Sequence, residues 1–392
     1  MKTGIDLISF YSSRYYLDLR TLAEARGVDP DKFMIGIGQE KMAIPPPDED
    51  IVTMAASAAL PLLEKVDVSK IELLLFATES GVDQSKAGGI FVHGLLGLPK
   101  RCRVVELKEA CYGGTAGLQM AQAMVARNPE SLALVIGTDI ARYDLGSPGE
   151  ATQGCGAVAM IVSANPRLIE LDPECGMYTE DVMDFWRPNY RDQAVVDGKY
   201  STRVYLSALA ETWRQYAETT GRGLDDFARF CFHLPFTRIA EKAMEKLGRA
   251  CGAKLSAEEI EAKIGESLRY NRISGNSYSA SLYVGLCSLL DTCEEDLSGK
   301  RIGLYSYGSG CVAEMFSGVV RPGYREVIRA HEHQGLLEER TELTFRQYED
   351  IFTLEFPTDG GDHRFAIYQT GPFRLAGVSQ HKRLYERVGA GG

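Results

Sequence analysis

The chain has 392 residues, enough to bury a large core and to form two domains or two fused halves. Hydrophobic residues make up 45% and charged residues 25%, the ordinary balance of a globular protein. With 43 basic against 54 acidic residues the formal net charge is −11, which argues against general nucleic-acid binding and against docking on an anionic membrane.

A small anionic ligand needs only a local cluster of Lys and Arg, so it stays open. The nine cysteines are scattered, odd in number and free of any CxxC pair. That pattern predicts reduced thiols in a cytoplasmic protein and no disulfide framework. Asp6 stands where a signal peptide would be apolar, and no apolar run is long enough to span a bilayer. No metal-ligand spacing appears.

In chain order, Gly4 to Tyr11 reads as a strand and Asp18 to Arg26 as a short helix with an Asp cap. Residues 28–33 read as a turn. After Pro45-Pro46-Pro47, a helix runs from Asp48–Asp50 to about Glu64, with Ile51, Met54, Ala55, Ala58, Ala59 and Leu62 at helical spacing. Ile71 to Thr78 is nearly continuous in apolar residues, as in a strand buried on both faces. It ends at Glu79. A carboxylate there is either desolvated, which suits a general acid or base, or a loop cap. Gly88 to Leu96 reads as a helix whose His93 packs.

Cys102 to Leu107 is extended, and a helix follows from about Thr115 to Ala126. Cys111 falls where the strand turns into the helix. Unpaired N–H groups and the positive end of the helix dipole would favour its thiolate, the nucleophilic form. Gly113 and Gly114 would allow a tight turn and leave room beside the sulfur. A buried small cysteine fits this stretch equally.

Leu132 to Thr138 reads as a strand, residues 139–150 as a loop, Gly154 to Val162 and Leu168 to Leu171 as strands. Residues 172–200 show little periodicity. Ser201 to Thr219 is an amphipathic helix. Phe227 to Phe232 is a strand ending at His233. The helix that follows, about Thr237 to Leu247, carries Arg238, Lys242 and Lys246 on one face: a solvated stripe or a small anion site beside His233. Residues 272–278 read as a loop into the helix Ala280 to Leu290, with Asn276 as a cap or a hydrogen-bond donor to a substrate carbonyl. Arg301 to Ser306 and Cys311 to Val319 read as strands flanking Gly308-Ser309-Gly310. Residues 331–363 read as a surface excursion, and Phe373 to Val378 as a last strand. The strand pairs at 132–162 and 301–319 resemble each other, as in a duplicated βα unit.

Glu79, Cys111, His233 and Asn276 thus come from strand ends or a loop far apart in sequence, a constellation suited to acyl transfer. The segments Glu79-Ser80-Gly81, Glu109-Ala110-Cys111-Tyr112-Gly113-Gly114-Thr115-Ala116, Gln153–Val158, Asp181–Pro188, Phe232-His233-Leu234-Pro235-Phe236 and Tyr307-Gly308-Ser309-Gly310 resemble bacterial 3-hydroxy-3-methylglutaryl-CoA (HMG-CoA) synthases, in family order and over most of the chain.

The resemblance implies an α/β, thiolase-like fold of two related halves stacked as αβαβα, with a C-terminal surface excursion. The halves would be 1–167, carrying Glu79 and Cys111, and 168–392, carrying His233, Asn276 and Ser309. It implies a homodimer of the mevalonate pathway, with acetyl-CoA and acetoacetyl-CoA as substrates and no cofactor. By the same resemblance Cys111 takes the acetyl group, Glu79 moves protons and His233 holds the acceptor thioester oxygen. Asn276 contacts substrate, and the Ser309 N–H helps hold an oxyanion. Asp29, Pro30, Thr152, Ser201 and Lys242 contact the ligand, while Tyr143 and Phe185 line its pocket. Other outcomes consistent with parts of the pattern are an acyl-carrier-protein-dependent synthase of polyketide β-branching, a ketoacyl synthase III-like enzyme and a non-catalytic thiolase-fold protein.

Overall fold

The computed structural model describes residues 2–368 and 370–388. Ten strands form one sheet: β1 (Thr3–Tyr11), β2 (Ile71–Ala77), β3 (Arg103–Leu107), β4 (Leu132–Ala141), β5 (Gly154–Ala164), β6 (Ile169–Leu171), β7 (Gly176–Thr179), β8 (Arg229–Phe232), β9 (Arg301–Gly308) and β10 (Val312–Val320). Their order is β8-β9-β10-β6-β1-β5-β4-β2-β3, with β7 beside β10. β2 runs parallel to β3 and β4, and β8 parallel to β9. β4–β5 and β9–β10 are antiparallel pairs in matching places of the two halves. The halves meet where β1 pairs with β6, and there Gly4 is required: a Cβ would lie 2.1 Å from the Ile169 carbonyl.

Strand alternation makes the layers. Leu73 and Leu75 turn one way, toward Leu118, Ala121 and Val125 of the helix Gly113–Arg127. Leu74 and Phe76 turn the other way, onto the helix Ile51–Leu63. In the second half Ile302, Leu304 and Phe316 face Leu282, Leu286 and Leu289 of the helix Ser281–Thr292, in the same cluster as Leu118. Tyr305 and Met315 face the outer helices Gly198–Thr220 and Arg238–Ala250. Both halves of the sheet therefore lay one face on a shared middle pair of helices, and αβαβα, the thiolase-like arrangement, is the result.

Several boundaries differ from expectation. Residues 32–37 form a π-helical turn. β4 continues to Ala141, so Asp139 lies on a strand and not in a loop. The helix Ala257–Ser274 absorbs the first residues of the expected 272–278 loop. Phe373–Ser379 is followed by one more strand, Lys382–Arg387. All nine cysteines are free. Among the described residues no helix is long and apolar enough to cross a membrane.

The C-terminal excursion lies on the surface but is anchored by buried residues, among them His333 and Tyr348. His333 Nδ1 is 2.7 Å from Asp291 Oδ2, and its Nε2 is 3.3 Å from both Ser9 Oγ and the Phe10 N–H. These groups align like a hydrolytic triad. The Phe10 N–H occupies Nε2 and the set is buried, so it is a brace. His333→Ala leaves Asp291 buried with only the Tyr270 hydroxyl, and should cost about 2–4 kcal/mol in urea unfolding. A loss under about 0.5 kcal/mol would mean that the brace does not hold this helix.

The C-terminal strands fold back onto the first half. Arg374 pairs with Asp48, and Arg383 and Tyr385 with Asp50. Between them, buried Glu49 accepts from the Tyr11 hydroxyl at 2.7 Å. Burial pushes Glu49 from 4.5 up to about 7. Its folded value exceeds its unfolded one, so this contribution is complete below about pH 4.5 and is lost as pH rises through about 7. Glu49→Gln should therefore raise the thermal midpoint more at pH 8 than at pH 5. Equal shifts at both pH values would refute the buried titration.

Candidate active site

The carboxyl ends of β2, β4 and β8, the end of β9 and two loops converge on a cavity of about 460 Å³. Cys111 lies two residues before the Gly113–Arg127 helix, and Ala110 before it has φ +41°, a left-handed conformation uncommon for a residue with a Cβ. The Cys111 thiol donates to Glu79 Oε1 at 3.1 Å. Glu79 reaches it because β2 ends at Ala77 and Asp139 gathers the next residues. The Asp139 carboxylate accepts from the Thr78 and Ser80 hydroxyls and the Glu79 N–H, each at 2.8 Å, and from the Ser279 hydroxyl at 2.6 Å.

Burial, then the charge of Asp139, raises Glu79 from 4.5 to about 8. Burial, then the neighbouring Glu79, raises the Cys111 thiol well above its ordinary value. The expected thiolate is thus corrected. A helix end carries about half a charge, and burial beside carboxylates outweighs it. The glycine expectation is corrected as well: Gly113 and Gly114 are helical, and a Cβ on Gly114 would meet the Ser279 carbonyl at 2.5 Å. The need there is close helix packing. The unusual backbone belongs to Ala110.

His233 follows β8 and is 3% exposed. Its N–H donates to the Tyr305 carbonyl and its own carbonyl accepts from the Tyr205 hydroxyl. Burial lowers the imidazole to about 3, so it is neutral at working pH. Nδ1 is buried without a hydrogen-bond partner among the described residues. A neutral ring has one N–H, and the consistent tautomer carries it on Nε2, ready to donate to a ligand oxygen.

Asn276 takes the capping role: its Oδ1 accepts from the Tyr278 N–H at 2.8 Å, and the residue lines the cavity. Asp184, fully buried, accepts from the Ser201 and Tyr307 hydroxyls and from the Gly310 N–H, and so fixes the turn that presents Ser309. Tyr143, Phe185 and Tyr278 form an aromatic wall with ring centroids 5.7–6.2 Å apart.

Of the expected residues, Cys111, Tyr143, Thr152, Phe185, Ser201, His233, Asn276 and Ser309 line the cavity, with Glu79 beneath the sulfur. Asp29, Pro30 and Lys242 do not; all three are exposed. Asp29 and Pro30 precede the helical turn that ends at the lining residue Ile37, and the Lys242 ammonium is 5.8 Å from the ring of lining Phe236. Within the basic stripe, Arg238 pairs with Glu241. Asp139, Asp184 and Tyr278 went unassigned. Asp139 had a visible signal, a carboxylate ending an apolar strand just as Glu79 does.

The N-terminal family model of hydroxymethylglutaryl-coenzyme A synthase matches residues 1–166, and the C-terminal model matches 169–250 and 244–357. The hydroxymethylglutaryl-CoA synthase of Enterococcus faecalis is 45% identical over 92% of this chain and 94% of its own. The polyketide biosynthesis 3-hydroxy-3-methylglutaryl-ACP synthase PksG of Bacillus subtilis (strain 168) is 33% identical over 90% of this chain and 88% of its own. A crystal structure of an HMG-CoA synthase complexed with CoA superposes with TM-score 0.94 at 43% identity, covering 99% of this chain and 100% of that one.

Proposed function

The chain belongs to the hydroxymethylglutaryl-CoA synthase family, and from this premise we propose how its residues divide the condensation of acetyl-CoA with acetoacetyl-CoA. The reading rests above all on the Cys111 thiol held 3.1 Å from a carboxyl group tuned to about 8, at the floor of a closed-in cavity.

Joining two thioesters at carbon needs a covalent station for one acyl group and a base for a weakly acidic methyl group. Cys111 attacks the acetyl-CoA carbonyl as its proton passes to Glu79. The Ser309 N–H stabilises the oxyanion, and CoA leaves as the thiol with that proton. Acetoacetyl-CoA then enters. His233 Nε2–H holds its thioester oxygen, and the Asn276 amide steadies the acyl group. Glu79 removes a proton from the acetyl methyl group. The resulting carbon attacks the C3 ketone, and the alkoxide takes up the proton that Glu79 removed. Water then cleaves the thioester to the carboxylate and returns the Cys111 thiol. These steps call on no further cofactor. A Glu79 value near 8 suits a group that must both take and return protons near neutral pH.

Asp29, Pro30, Thr152, Ser201 and Lys242 take the ligand along the cavity and at its mouth, with Tyr143 and Phe185 as walls. The division into 1–167 and 168–392 falls between β5 and β6, with the 373–388 segment folded back on the first half. A cytoplasmic, mevalonate-pathway role fits the free cysteines. A second copy would meet this one along β3, an edge strand with Val105 46% exposed, beside Met120 at 53%.

The test follows acetoacetyl-CoA with and without acetyl-CoA. Loss that depends on acetyl-CoA and yields HMG-CoA supports the reading. A stably acetylated Cys111 with no loss would transfer the acceptor role to an acetoacetyl acyl carrier protein, the carrier named for the PksG relative.

A further inference from the structure

Glu314 lies in the middle of β10, in the second half, and is 1% exposed. A carboxylate inside a central strand is costly unless its lone pairs are filled. Glu314 Oε2 accepts from the Tyr112 hydroxyl at 2.7 Å, and Oε1 accepts from Gln119 Nε2 at 2.6 Å. Gln119 cannot present its oxygen instead, because that oxygen already accepts from Gln122 Nε2 at 3.0 Å. Two donors thus converge on a group that can only accept. A glutamine would set its own N–H against one of them.

Both ends of this grip bear on Cys111. Tyr112 is the next residue, and Gln119 lies in the first half of the Gly113–Arg127 helix. On the other side of Cys111, Ala110 sits at φ +41°. Such a conformation persists only where the surroundings over-determine it. Gly308, at the end of β9, presses on the same turn: a Cβ there would lie 2.6 Å from the Glu109 carbonyl and 2.7 Å from the Tyr112 nitrogen. The β9–β10 hairpin thereby clamps the cysteine turn from the opposite half of the molecule, and the same hairpin turn carries Ser309.

We propose that Glu314 is a positioning residue for Cys111, acting through Tyr112 and Gln119 to hold the sulfur in register with Glu79 and the Ser309 N–H. The assignment rests on the acetyl-Cys111 reading above. It adds that the geometry of the nucleophile is set by a carboxylate that touches no substrate. Released from this grip, Ala110 relaxes to an ordinary φ and the sulfur moves off its 3.1 Å contact with Glu79.

The experiment compares wild type with Glu314→Gln, Tyr112→Phe and the double variant. Tyr112→Phe removes one hydroxyl and leaves packing intact, so it reports even where Glu314→Gln folds poorly. For each, the rate of acetyl-Cys111 formation, the KM for acetyl-CoA, the rate of Cys111 alkylation by iodoacetamide and the thermal midpoint are measured. Each single variant should acetylate about ten- to a hundredfold more slowly, the penalty expected of a misplaced reacting atom. KM should stay within about twofold, and alkylation should change in both singles. The double variant should be no slower than the slower single, since both remove one contact. Independent, multiplying losses would overturn the proposal. So would a loss confined to KM, or a fall in thermal midpoint with unchanged acetylation. Failure of the acetyl-Cys111 reading itself would show separately, as wild-type protein that alkylates at Cys111 but is not acetylated.

Discussion

Serine in place of Cys111 is expected to take acetyl-enzyme formation below detection and to lower turnover at least about ten-thousandfold. The reason lies in the partner. Glu79, at about 8, is a base strong enough to accept a proton from a thiol in contact with it. A hydroxyl is a far weaker acid, and the same carboxylate cannot activate it. The second step suffers too. An oxygen ester acidifies its methyl group less than a thioester does, so any acetyl that reached serine would resist the carbon–carbon step. Intact mass after incubation with acetyl-CoA reads the result directly. Wild type should gain one acetyl group and Cys111→Ser none. An acetyl group found on another residue of the variant would sink the assignment of Cys111.

Glu79→Gln should separate the two half-reactions. Acetylation should still run to completion, about tenfold more slowly, because the thiol proton can leave with the departing CoA. Condensation should fall about a thousandfold. The acetyl methyl group has no other base to use. His233 is held neutral at about 3, and Asp139 spends its lone pairs on Thr78, Ser80, Ser279 and the Glu79 N–H. The variant should therefore accumulate acetyl-Cys111 in the presence of acetoacetyl-CoA. Its free thiol should also ionise at lower pH, since the charge of Glu79 helps to hold the thiol up. Near-normal condensation by Glu79→Gln would remove Glu79 from its role.

What could be read beforehand was whatever depends on local pattern. The run Ile71–Ala77 announces a doubly buried strand, and the Cys111 turn lies between a strand and a helix as the apolar spacing after it requires. Glu79, Cys111 and His233 were legible because strand ends gather chemistry. What failed was what depends on surroundings. The thiolate expectation counted the helix end and had no means of counting burial first, then the carboxylates of Glu79, Asp139 and Asp184 brought in from remote segments. The helix Ala257–Ser274 did carry a readable start, the Ser256–Glu259 capping box, followed by Ile260, Ile264 and Leu268 at four-residue steps. The strand Lys382–Arg387 carried none. Its polar side chains pair with groups from elsewhere in the chain, Arg383 and Tyr385 with Asp50 and Glu386 with Arg374. Asp29, Pro30 and Lys242 came from motif positions alone, and the structure leaves them exposed and outside the cavity's lining.

The position of β1 has a consequence for how the molecule is made. This strand is the first of the sheet in chain order, yet it sits at the seam, between β5 and β6. Neither neighbour exists until residues 154–171 have been synthesised. Through that interval Ile5, Leu7, Ile8 and Phe10, all buried in the finished protein, have no partner strand. Assembly is then governed by a contact of long sequence separation, the kind that folds slowly and leaves apolar strand exposed to aggregation or to a chaperone. Without residues 3–11 the sheet would be cut in two at its seam, with part of the active site on each side.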